Sequence, residues 1–131
     1  MDRNIESISE YHIHVYFDLN SSSAQKAKQV RESLPEKFGD KVVIGTWHEK
    51  TVGPHPKPMY QVKFKPEYFK EIVQWMSLNA TGLSILIHPE TGDELSDHTD
   101  HALWLGKQMD LVLDVFKPRP VSNKKAGGYN V

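Results

Sequence analysis

No cysteine occurs anywhere in this 131-residue chain. That absence excludes disulfides, thiolate nucleophiles and thiolate metal ligands, so any metal must be held by nitrogen and oxygen. Long basic runs are missing too: Lys124-Lys125 is the one doublet, and the formal net charge is -1. The electrostatic footprint of a nucleic-acid binder is absent, and no nucleic-acid partner is expected. No apolar run approaches the roughly 20 residues that span a bilayer, and the first residues hold no apolar signal core. The expectation is a soluble cytoplasmic protein with no membrane partner.

What is present has ordinary globular proportions, with 38% hydrophobic and 25% charged residues. The length fits one domain with a respectable core. That domain is expected over residues 10–116, with residues 1–9 and 117–131 as flexible ends.

The pattern along the chain is β-α-β-β-α-β. Residues 10–17 alternate, with Tyr11, Ile13, Val15 and Phe17 on one side and His12, His14 and Tyr16 on the other. A period of two marks a strand with one buried face. Ser22 and Gln25 form a capping box for a helix whose stripe is Ala24, Ala27, Val30 and Leu34. Pro35 is expected to stop it. Residues 42–50 read as a second strand. Residues 51–58 hold three prolines and a glycine, a stiff loop that displays His55. Residues 59–65 make a third strand, and Phe69, Ile72, Val73 and Met76 give a second helical stripe after Pro66. Residues 83–87 are the fourth strand. Ser96 or Asp97 would then cap a short helix running to Trp104, and residues 109–116 read as a fifth strand or a short helix.

This order implies an α+β, ferredoxin-like βαββαβ antiparallel sheet of spatial order 4-1-3-2, with helices on one face and an extra C-terminal strand or helix. The topology sets the end of strand four, at His88, beside the start of strand one. His12, His14 and Tyr16 would project onto an uncovered face. Two histidines two apart on a strand have Cα atoms roughly 6–7 Å apart and can converge on one metal ion. The competing reading is a polar outer face that tolerates histidine.

Residues 88–101 hold three of the seven histidines and five acidic residues between two apolar runs. Most of those acids are accounted for by turn and cap duty. His98 and His101 share a face of the short helix, each a candidate ligand or base. His48 reads as an edge-strand residue, and Trp47, Trp75 and Trp104 as core or interface aromatics.

Four motifs in order carry a resemblance: Tyr-His-Ile-His-Val-Tyr-Phe (11–17), Gly-Pro-His-Pro-Lys-Pro-Met (53–59), His-Pro-Glu-Thr-Gly-Asp (88–93) and Asp-His-x-x-x-Ala-Leu-Trp-Leu-Gly (97–106). Over about residues 10–116 the chain resembles the DOPA 4,5-dioxygenase family. The resemblance implies a homodimer and extradiol opening of a catechol-type ring with O2. It matches His12, His14, His55, His88 and His98. His12, His14 and His88 become the expected ligands of Fe(II), with Zn or another divalent metal as alternatives, and His98 is next in line. His55 is the expected acid–base residue if its loop folds over the face; otherwise His98 takes the role. Tyr16 and Trp104 are the expected substrate contacts. No carboxylate is clearly placed to complete an iron site, the candidates being Asp18, Asp93, Glu94 and Asp97. The alternative is a non-catalytic small-molecule or metal-binding dimer of the same fold, or a structural dimer with the sheet face buried against a partner.

Overall fold

The computed structural model describes residues 2–117, so most of the expected C-terminal tail lies outside the described residues. Strand β1 (Glu10–Tyr16) is central and pairs antiparallel with both neighbours. Helix α1 follows (Ser22–Phe38), then β2 (Val43–Ile44), β3 (Met59–Phe64), α2 (Phe69–Asn79), β4 (Ile85–Glu90), α3 (Glu94–His98) and β5 (Leu103–Leu105). The sheet runs β2-β3-β1-β4-β5, antiparallel throughout. Its first four strands reproduce the expected ferredoxin-like order.

The period of two in β1 sorts its side chains as expected. Ile13, Val15 and Phe17 enter one core with Ala27, Val30 and Leu34 of α1 and Ile72 and Met76 of α2. Burying these large apolar side chains drives the sheet against the helices, at roughly 1.5–3 kcal/mol for each Val, Leu or Ile.

Local details differ from expectation. The Oγ of Ser21, not Ser22, caps α1 by accepting from the Ala24 amide at 3.3 Å. The helix runs through Pro35 to Phe38, where Gly39 ends it. Leu34 and Phe38 are both buried, so core packing outweighs the backbone bond that proline forfeits. Strand β2 pairs over two residues only. Beyond it the Arg31 guanidinium donates to the Gly45 carbonyl, and Trp47 turns to stack on Phe17 with ring centroids 4.0 Å apart.

The larger corrections lie after β4. The expected helix to Trp104 is a five-residue α3, capped by Asp93. Leu103–Leu105 instead extend the sheet along the free edge of β4. Residues 109–112 are irregular, and Leu113–Phe116 form one 3-10 turn rather than a strand. The second sheet face is not open. Met59, Tyr16 and Leu86 on it are covered by Val52, Ala102, Trp104, Met109 and Leu111. The Val112 amide donates to the Pro54 carbonyl at 2.8 Å, which ties this cover to the proline loop. His14 is fully buried inside the chain itself, so a partner subunit is not what hides it.

Candidate active site

Register assembles the site. His12 on β1 lies opposite His88 on β4, and His14 follows two residues along, so all three imidazoles leave the same sheet face. One nitrogen from each lies within 4.8 Å of the others. The His14 and His88 Nε2 atoms are 3.1 Å apart. The proline loop folds over this face and lays His55 on His14, with centroids 4.1 Å apart. Helix α3 lays His98 on His88 at 4.0 Å. The five histidines singled out by the motifs thus form one cluster spanning four segments. His48 stays outside it, bridging to Met59, and so does His101.

The rings are held by their outward nitrogens. His88 donates from Nδ1 to the Pro89 carbonyl at 2.9 Å, and His98 donates from Nδ1 to the Glu94 carbonyl at 2.7 Å. A carbonyl only accepts, so both rings present an Nε2 lone pair. His12 directs Nε2 at the Glu10 carboxylate, 2.6 Å away, which leaves its Nδ1 for the cluster. Acceptors behind the ring are the usual support of metal-ligating histidines.

Burial keeps these rings neutral. It holds His14 and His88 well below the ordinary 6.5, with neighbouring imidazoles adding to the effect. It lowers His55 to about 3, helped by His98 and His48. His12 and His98 are lowered chiefly by burial too, against the pull of Glu10 on the first and of the Glu94 carbonyl and Asp97 on the second. Neutral imidazole is the form that binds metal.

The donor set fits a divalent metal on its own chemistry. If His14 donates from Nε2 to His88, its Nδ1 lone pair is buried without a partner. If both Nε2 atoms carry lone pairs, those lone pairs face each other across 3.1 Å and repel. A cation accepting both lone pairs resolves that conflict. The triad of His12, His14 and His88 can hold a metal ion.

The acids fall out differently from expectation. Asp18 pairs with Lys57 at 3.1 Å, and Asp93 caps α3. Asp97 does not cap: it is buried and accepts from the Thr91 amide, the Thr91 hydroxyl and His101. The carboxylates beside the cluster are Glu10 and Glu90, which face each other across β1 and β4. A Glu90 oxygen lies 3.5 Å from His88 Nδ1 and 3.9 Å from His12 Nδ1. Burial first, then Glu94, Asp97 and Glu10, push its carboxyl up to about 7. Sequence reasoning missed both, although each stands two residues from a site histidine and therefore on its face.

Tyr16 is buried, with its hydroxyl on His55 Nδ1 at 2.6 Å and its ring beside Trp104. A cavity of about 310 Å³ opens between α3 and residues 108–113, lined by His98, Trp104, Met109 and Leu111 among others. That is room for one aromatic ring with a short side chain.

Residues 11–115 match the Dopa 4,5-dioxygenase family. The chain belongs to that family. The Dopa 4,5-dioxygenase match includes all five clustered histidines, from His12 to His98. Among relatives, the chain is 31% identical over 111 residues to the DOPA 4,5-dioxygenase of Amanita muscaria, covering 81% of this chain and 49% of that protein. An uncharacterized 21.2 kDa protein of Botryotinia fuckeliana is 34% identical over 125 residues, covering 89% of this chain and 67% of the relative. The chain thus spans about two thirds of one relative and half of the other. The crystal structure of a candidate dioxygenase from Nostoc punctiforme superposes with a TM-score of 0.81 at 46% identity, covering 86% of this chain and 95% of that one. Membership in this Dopa 4,5-dioxygenase family implies a dioxygenase acting on a small molecule and O2. No helix among the described residues is long and apolar enough to cross a membrane.

Proposed function

We propose that this protein is an Fe(II)-dependent dioxygenase that opens the ring of a catechol-type, DOPA-like substrate with O2. The observation that carries the reading is the neutral triad of His12, His14 and His88, with ligand nitrogens within 4.8 Å of one another, in a chain of this family. His12, His14 and His88 would hold the Fe(II), which would supply redox-active Lewis-acid chemistry toward a catecholate and O2. Histidine nitrogen ligands suit Fe(II), and Zn or another divalent metal competes for the same donors.

The remaining work belongs to the chain. Glu10 and the Pro89 carbonyl orient His12 and His88 from behind. The cover formed by the proline loop and residues 109–112 excludes water from the histidine face, which strengthens every polar contact within it. Trp104, beside the buried Tyr16, lines the cavity and offers a face against which a flat ring stacks, while His55 and His98 divide the acid–base work. Homodimer formation and a cytoplasmic location belong to the same proposal, and sedimentation and cell fractionation read them directly.

Protein purified without oxygen and loaded with Fe(II) should bind one iron per chain and consume O2 with a panel of catechols. His12→Ala and His88→Ala should each abolish bound iron. Full metal content in either variant would sink the ligand assignment. Iron binding without O2 uptake on any catechol would favour the non-catalytic binding module.

A further inference from the structure

We propose that Tyr16 is a positioning residue that fixes the tautomer of His55, making His55 a hydrogen-bond donor to a ligand oxygen and leaving proton removal to His98. The inference rests on the dioxygenase reading for its chemistry, although the tautomer itself does not.

Hydrogen-bond bookkeeping decides the direction. The Tyr16 hydroxyl meets His55 Nδ1 at 2.6 Å, both groups are buried, and Nε2 of the same ring has no partner. If His55 donated from Nδ1, the phenolic hydrogen and the Nε2 lone pair would both be left buried and unpaired. If Tyr16 donates, one unpaired group remains, the Nε2–H. The second arrangement leaves fewer orphans, and a phenol is the better donor of the two. The remaining Nε2–H belongs to a ring packed at a tilt against His14 and about 6 Å from His98. It is a buried donor in want of an acceptor, which a catecholate or dioxygen oxygen provides.

His98 has the opposite polarity. The Glu94 carbonyl takes its Nδ1–H at 2.7 Å, so its Nε2 offers a lone pair, and its ring lines the cavity beside Trp104. Two histidines of similar burial are thereby given different tasks by what stands behind them.

Nitrogen-15 spectra of the diamagnetic Zn(II)-loaded protein read the tautomers without any turnover. His55 should show protonated Nε2 and bare Nδ1, and Tyr16→Phe should shift it towards a tautomer mixture with metal content unchanged. Bare Nε2 in the wild type, or an unchanged pattern in Tyr16→Phe, overturns the proposal. Loss of metal in Tyr16→Phe also overturns it, because His55 would then be a ligand. In turnover, His55→Gln keeps an N–H donor and should stay within about tenfold of wild type in kcat, whereas His55→Ala should fall about 100-fold. His98→Gln should fall about 1,000-fold. Equal losses in His55→Gln and His55→Ala would overturn the donor role. Absence of O2 uptake by the wild type would instead refute the dioxygenase reading and leave the spectra to decide the tautomer.

Discussion

Asp97 accepts three hydrogen bonds at once, from the amide and hydroxyl of Thr91 and from Nδ1 of His101. Its side chain is almost wholly buried, so these bonds offset the cost of taking a carboxylate out of water. Together they close the turn that swings α3, and with it His98, over β4. Asp97→Ala would leave the Thr91 groups without their partner, and a loss of about 3 kcal/mol is expected in urea unfolding. A loss below about 0.5 kcal/mol would show that the turn closes without it. Nothing in the spacing of Asp97 announced this role, because its partner lies six residues upstream and a cap needs only local geometry. Glu10 and Glu90, by contrast, went unread although their signal is local: each lies two residues from a histidine on a strand, so the alternation that exposed His12 and His14 also places them.

Strand β5 is the element least visible in the chain. Leu103–Leu105 could propagate a helix as easily as a strand over so short a run, and the free edge of β4 decides for the strand. Gly106 then ends it with a φ of +73°, a conformation L side chains rarely adopt. A Cβ at that position would sit 2.2 Å from the Leu83 carbonyl oxygen. Gly106→Ala should therefore destabilise by at least about 2 kcal/mol, conformational cost and clash together. Hydrogen exchange at Leu103–Leu105 should speed up more than at β1, and uniform exchange across the sheet would argue against a local cause. The proline loop shows the converse. Its stiffness was evident from composition, yet its direction was not, since X-Pro steps extend a chain without aiming it.

At the scale of the whole molecule, the second sheet face and its cover enclose five neutral imidazoles. This makes the metal-free protein acid-sensitive. His55 is lowered to about 3, and His14 and His88 fall well below 6.5. In the unfolded chain each recovers its ordinary value, so at mildly acidic pH the unfolded state binds more protons. The stabilising contribution is complete above about pH 7 and is lost as pH falls below 6.5 towards 3. The urea midpoint of the metal-free protein should drop between pH 7.5 and pH 5, and bound metal should move that drop to lower pH. Equal midpoints at both pH values would mean that the cluster takes up protons without unfolding. The chain's own residues determined the strands, the two helical stripes and the shared face of His12 and His14, because alternation and 3.6-residue periodicity are written in neighbouring positions. The absence of cysteine likewise settled that any ligand is nitrogen or oxygen. Only the tertiary structure decided that His55 joins the cluster, that Asp97 braces it and that the second face is closed. Those outcomes rest on contacts between distant segments, such as Tyr16 with His55 and Pro54 with Val112, and no local spacing encodes them.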